Sequence, residues 1–330
     1  MPGRFLICCL PLLWVGCTSV EEHRPSPQAK PVVEKAWDRV NIGTYDNAEF
    51  ARLFTQIGGY GIKTENVNTL VLQKDGQGAE IWLHEQPYDA VQARPPDARS
   101  WEPGCYWSLM VRAKNLGSIV EDAAPLGWLP KTPVAYIEFG PSKLDVVVLT
   151  HQDTGAQVQF YERLTTPLPE TYPDFERFGI PFNIMQIAGD RDASYEFFTQ
   201  DLGFATWYHG DPYLSEKPEI MPLGIPVELT TRVPYRASIV SPVKDMETGR
   251  FEMIEVMGED AGLTGRNFSD QCHDTSVGIH SVTYVMDSSD AFMDVAGYLD
   301  SPEYSGTHAN GIRVQAPDGA GIFFVEDDNP

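Results

Sequence analysis

The chain has 330 residues and a formal net charge of −23, from 47 acidic and 24 basic side chains. With 42% hydrophobic and 22% charged residues it has the composition of a soluble globular protein, long enough for one large or two ordinary domains. So acidic a chain repels phosphate backbones and anionic lipid, which excludes nucleic acid as an expected partner and leaves solubility as the simplest reading of the charge.

Taken in order, the chain opens with Arg4, an apolar run from Phe5 to Val15, and Gly16-Cys17. The run is too short to span a bilayer and fits the apolar segment of a secretory signal. A small residue followed by Cys resembles a bacterial lipoprotein box, which implies a signal peptide over 1–17 and lipidation of Cys17. Trp14 stands where that pattern prefers Leu. Thr18 rather than Asp after the Cys implies the outer membrane, so the expected location is the periplasmic face of the envelope, with membrane contact through an N-terminal lipid anchor. Residues 18–35, with Pro25, Pro27 and Pro31, read as a flexible tether. After Cys17 only Cys105 and Cys272 remain. An exported protein permits their pairing, but spacing alone does not decide it.

Four segments then repeat one pattern. In the first, Val40, Ile42 and Thr44 alternate with polar residues as in a half-buried strand, and Asp46 opens a helix with Phe50, Leu53 and Phe54 on one face. Strands follow over 68–73 and 79–84, turned by Asp75-Gly76, and then a loop over 86–103. The second begins at Tyr106: Trp107, Leu109 and Val111 alternate with Ser108, Met110 and Arg112. Asn115 takes the capping place, Leu126-Gly127-Trp128 ends the helix, and strands follow over 134–139, 144–150 and 157–162. Residues 166–179, with three prolines, read as a linker.

The third copy has the sharpest signal. A strand over 182–188 meets the acidic turn Gly189-Asp190-Arg191-Asp192, then a helix with Ala193, Phe197 and Phe198 near one face. Leu202-Gly203-Phe204 stops it. Further strands cover 204–208, 227–229, 237–241 and 251–256, and the Pro-rich insertion 209–226 reads as a lid or rim. In the fourth, His280, Val282, Tyr284 and Met286 share a strand face, a helix carries Phe292, Val295 and Ala296, and a hairpin turns at Pro317-Asp318-Gly319. The recurring cap residues Asp46, Asn115, Asp190 and Asp287 are the repeat signal.

Strand, acidic cap, short aromatic helix, Leu-Gly-Phe, strand: this order resembles a module of the glyoxalase/bleomycin-resistance/extradiol dioxygenase group, the vicinal-oxygen-chelate superfamily. The resemblance covers residues 37–327. It implies an α+β fold in which four βαβββ modules pair into two half-barrel cups, with 36–165 as an N-terminal pair and 180–330 as a C-terminal pair.

Metal-holding members of that group take ligands from the first and last strands of each module. The first-strand positions here are Arg39, Ser108, Asn183 and His280. The last-strand positions are Glu80 or Trp82, Gln159, Glu255 and Phe323, with Glu326 three residues further on. The N-terminal set is poor in donors. The C-terminal set, Asn183, Glu255, His280 and Glu326, is similar to the Gln/Glu/His/Glu set of glyoxalase I and implies a divalent ion, Zn²⁺, Ni²⁺ or Fe²⁺, with Glu255 as the catalytic carboxylate. Phe323 removes a ligand, and strand alternation turns Glu326 to the opposite face unless a bulge intervenes. Asn183 and Phe323 argue against dioxygenase chemistry. Three readings follow: a small organic ligand held in the C-terminal cup with a degenerate metal site, a glyoxalase-type lyase or isomerase, and a structural envelope lipoprotein. His280 reads equally as a hydrogen-bonded core residue, and His84 and His151, at strand ends, carry no spacing argument.

Overall fold

The computed structural model describes residues 32–258, 262–299 and 311–326. The expected lipidation residue Cys17, the expected signal over 1–17 and most of the expected tether lie outside these residues. The tether's last residues pack: Val32 N–H donates to Leu202 O at 3.0 Å, and Val33 is buried.

The four modules form as their periodicity requires. The first comprises β1 (Arg39–Thr44), α1 (Asn47–Arg52), β2 (Gly61–Glu65), β3 (Thr69–Lys74) and β4 (Gln77–Glu85). The second comprises β5 (Tyr106–Ala113), α2 (Leu116–Ala123), β6 (Trp128–Pro130), β7 (Ala135–Phe139), β8 (Ser142–His151) and β9 (Gln157–Arg163). The third comprises β10 (Phe178–Ile187), α3 (Arg191–Glu196), β11 (Ala205–His209), β12 (Tyr235–Ser241) and β13 (Arg250–Val256), and the expected strand at Val227–Leu229 is instead a turn of 3-10 helix, where Thr230 N–H donates back to Val227 O. The fourth comprises β14 (Gly278–Met286), α4 (Ser289–Leu299), β15 (Gly311–Gln315) and β16 (Gly321–Glu326). Two of the four caps act as the sequence implies. Asp46 accepts from the Glu49 N–H at 2.9 Å, and Asp190 accepts from Asp192 and Ala193 at 3.0 and 3.1 Å. The other two differ. Asn115 adopts a left-handed backbone, φ 64°, and its side chain caps nothing. Glu162 accepts from the N–H groups of Asn115 and Leu116 instead, at 2.9 and 3.1 Å. At α4 the hydroxyl of Ser288, not Asp287, accepts from the Ala291 N–H.

The modules pair differently from the expected N-terminal and C-terminal halves. A seven-stranded sheet runs β15-β16-β14-β1-β4-β3-β2, joining modules one and four. A nine-stranded sheet runs β11-β12-β13-β10-β5-β9-β8-β6, with β7 against β8, joining modules two and three. In each sheet the two first strands are antiparallel neighbours, β1 with β14 and β5 with β10. Alternating hydrophobicity tells each first strand which face is buried but not which edge to join, so the sequence pattern fits any partner. The side chains across the β1/β14 seam do select one: Asn41 Nδ2 donates to Ser281 Oγ at 3.0 Å and to Thr283 Oγ1 at 2.9 Å. The segment 166–177 therefore joins two strands of one sheet, β9 and β10 on either side of β5, and does not divide two halves.

One hydrophobic core lies between the sheets and the helices, gathering Val40, Phe50, Leu109, Phe160, Phe251 and Tyr284 from all four modules. Phe50 of module one meets Trp128 of module two edge-on, centroids 4.9 Å apart. Cys105, before β5, and Cys272, before β14, are joined by a disulfide with Cα atoms 5.6 Å apart, which settles the pairing and links the two sheets. The sheet faces turned away from the shared core are the inner faces of the two cups. The nine-stranded cup is largely filled. Met221, Leu223, Ile225 and Val233, from the insertion and the segment after it, are buried with Met110, Met185 and Ile254 of its inner face. The insertion is thus packing material as much as rim.

Candidate functional site

The four residues of the expected metal set do not meet. Asn183 stands on β10 opposite Met110 and Arg250, inside the nine-stranded cup, with its Oδ1 buried and without a hydrogen-bond partner. Glu255 shares the core-side face of β13 with Phe251 and Met253. There it accepts from the Arg191 N–H at 3.0 Å and from Arg236 at 2.7 and 2.9 Å, anchoring the start of α3. It is not a cup carboxylate. His280 lies in the other cup, on β14 of the seven-stranded sheet. Glu326 accepts from the hydroxyl of Ser289 at the head of α4, on the helix side, as strand alternation from the inward Phe323 dictates. Module pairing separates Asn183 from His280, and side-chain parity turns both glutamates outward. Among the described residues no group of three His, Cys, Asp or Glu gathers at metal-binding distance. The residues present therefore do not fit the divalent ion implied by the sequence resemblance.

What the seven-stranded cup does hold is a continuous polar face. At the β1/β14 seam Asn41 pairs with Ser281 and Ile42 with Ile279, so His280 is one residue too many: a β-bulge. The bulge breaks the expected common face. Val282, Tyr284 and Met286 enter the shared core, while His280 and Ser281 both reach the cup. The His280 Nδ1 lies 3.1 Å from Ser281 Oγ, and its ring centroid is 6.1 Å from that of His84. His84 Nε2 lies 3.2 Å from Asn41 Oδ1. Because Asn41 spends its amide N–H groups on Ser281 and Thr283, it presents the oxygen, and His84 is the donor. Further along β4, Trp82 Nε1 donates to Glu80 at 2.7 Å, and the Arg39 guanidinium lies 4.3 Å over the Trp82 ring.

His280 is 3% exposed, and its Nε2 has no hydrogen-bond partner. Burial, then the neighbouring charges of His84 and Arg313, hold its imidazole well below the usual histidine range, so the ring is neutral at pH 7. In either tautomer Nε2 keeps one unused hydrogen-bonding function. A buried polar atom left in that state costs about 1–3 kcal/mol unless a bound molecule satisfies it. His84, Trp82 and Arg39 are only half-buried, so this face is reachable from solvent.

Sequence reasoning named His280 but missed Asn41 and His84. The signal was the alternation of Glu80, Trp82 and His84 on β4, read as far as Trp82. In the nine-stranded cup the inward acid of β13 is Glu252, opposite Met185 and Ile239, rather than Glu255. Burial pushes its carboxyl up to about 7.

Two sheets, each built from two modules that open strand–helix and continue in further strands, with antiparallel first strands side by side and helices on one side, define the paired-cup fold of the vicinal-oxygen-chelate type. Among solved structures the chain is similar to glyoxalase I from Zea mays, at 11% identity and TM-score 0.58, over 89% of this chain and 92% of that one. It is also similar to a putative dioxygenase from Bacillus subtilis, at 12% identity and TM-score 0.53, over 89% of this chain and 85% of that one. At such identities the shared property is the fold. No protein-family model and no curated protein matches the sequence.

Proposed function

We propose that this is an exported, lipid-anchored binding protein of glyoxalase-like fold, whose seven-stranded cup holds a small polar organic ligand without a metal. The observation that carries the reading is the orphaned Nε2 of His280, buried beside the His84–Asn41 pair on a face that solvent reaches. A bound hydroxyl, carbonyl or amide completes that site, with Trp82 as an apolar wall. The cup is built by modules one and four and so differs from the C-terminal cup the sequence pointed to. The glyoxalase-type lyase or isomerase reading needs Asn183, Glu255 and His280 at one centre, and they stand in two cups and on two faces. A purely structural role gives the orphaned imidazole no purpose.

Export rests on Arg4, the apolar run ending at Val15, and Gly16-Cys17. The Cys105–Cys272 disulfide supports an oxidising compartment. Radiolabelled palmitate incorporated by the full chain and lost in Cys17→Ser tests the anchor. A thermal-shift screen of neutral polar metabolites against residues 20–330 tests the cup. Hits should raise Tm for the parent protein and lose their effect in His280→Ala and His84→Ala. Hits that act equally on both variants would refute the assignment.

A further inference from the structure

In a chain of net charge −23, three arginines collect at one end of the nine-stranded cup, the cup not used by the reading above. Arg112 on β5 and Arg163 on β9 lie on its inner face near Tyr161, and Arg250 on β13 stands opposite Asn183. Their mutual repulsion is large enough to matter: Arg163 and Arg250 both help burial pull the Arg112 guanidinium down, to about 10, and Arg163 also acts on Arg250. Arg112 and Arg250 are each 6% exposed. The Nε–H of all three is buried without a hydrogen-bond acceptor. None of the three forms an ion pair among the described residues. Arg112 stacks on Phe182 at 3.8 Å, and Arg250 on Trp207 at 4.6 Å, contacts that orient a guanidinium but neutralise nothing. The acids near Arg250, Glu247 and Asp245, act on it only at longer range.

A cavity of about 350 Å³ opens beside Arg112 and Arg163, which line it with Tyr161, Leu168, Pro169 and Tyr172; Lys114, Glu162, Glu170 and Asp174 also border it, and Arg250 stands outside its lining. The segment 166–175 forms its outer wall, with Tyr172 buried and its hydroxyl donating to Ile180 O at 3.0 Å. Arg163 is half-buried and its Nη1 donates to Thr166 O at 3.1 Å, while the buried guanidiniums of Arg112 and Arg250 have no counter-charge among the described residues; the forked donors of such groups match a planar oxyanion. The aromatic and proline walls suit an apolar body of modest size.

We infer that this end of the nine-stranded cup binds a small organic carboxylate, its anionic group held by Arg112 and Arg163 in the positive field that Arg250 adds, and its apolar body covered by the 166–175 segment. The site is independent of His280 and of any metal. The test uses sodium benzoate as probe and benzamide as its uncharged counterpart, at constant ionic strength, on residues 20–330. Selectively ¹⁵N-arginine-labelled protein is followed through its slowly exchanging Nε–H resonances. Benzoate should move these resonances in a saturable way and raise Tm by several degrees, while benzamide should do neither. In Arg163→Gln the benzoate effect should fall at least tenfold in affinity. Resonances that benzoate leaves unmoved, or moves no further than benzamide does, would overturn the site, as would a benzoate response undiminished in Arg163→Gln. Should that variant fail to fold, the resonance comparison on the unsubstituted protein decides alone.

Discussion

Glu252 is the only carboxylate placed on the inner face of β13, among Met185, Ile239 and Ile254, and burial alone raises its pKa from 4.5 to about 7. A raised carboxyl pKa means that the folded state binds the proton more tightly than the unfolded chain. The cost of ionising it is absent below about pH 4.5, grows through the interval, and is complete above about pH 7, so stability falls as pH rises across that window. Moving a pKa from 4.5 to about 7 corresponds to about 3 kcal/mol. The side chain keeps some solvent contact, so this figure is a ceiling. Glu252→Gln removes the ionisable group while keeping its shape. Urea unfolding at pH 8 should show the variant more stable by about 1–3 kcal/mol with an unchanged m value, and at pH 5 by less than about 1 kcal/mol. A variant of equal or lower stability at pH 8, or one with the same gain at both pH values, would refute the reasoning.

Three further outcomes follow from the packing. The disulfide closes a loop with a sequence separation of 167, for which chain entropy alone gives about 5 kcal/mol, so Cys105→Ser with Cys272→Ser should lower the urea midpoint by as much as a large core truncation such as Phe→Ala. Asp318, in the β15–β16 turn, accepts from the Gly189 N–H at 2.8 Å and from the Ser194 hydroxyl, tying module four to the head of α3. Asp318→Ala leaves both donors unpaired and should cost about 1–3 kcal/mol in the same unfolding assay. A Cβ at Gly43 would lie 2.0 Å from the Ser276 carbonyl oxygen, so Gly43→Ala should force β1 away from the backbone before β14 and destabilise by about 1–3 kcal/mol or more.

Much of the fold was legible in the sequence because its signals are local. Val40 and Ile42 on β1, or Asp190 followed by Gly203 around α3, fix a strand face and a helix within a few residues of chain. The partner of each module was not legible. All four first strands offer the same alternation, and the Asn41–Ser281–Thr283 contact that distinguishes one seam joins residues some 240 apart. That missing long-range fact carried the error at the site. Asn183 and His280 are both inward, as read, but in different cups. A second error came from local geometry. His280 appeared to lie with Val282 and Tyr284 because a bulge leaves no mark on hydrophobic period. Glu255, expected to face inward, alternates with Phe251 and Met253 and so lies on the core side. The arginine cluster was invisible for the first reason again: Arg112, Arg163 and Arg250 come from separate strands of two modules.

The central claim is that Asn183 and His280 line separate cups and that neither belongs to a shared metal centre. Metal content of residues 20–330, purified without chelator and then titrated with Zn²⁺, Ni²⁺ and Fe²⁺, tests it when Asn183→Ala and His280→Ala are measured alongside. The account predicts no stoichiometric ion whose binding depends on both residues. One equivalent of metal per chain, lost in each variant alone, would contradict it.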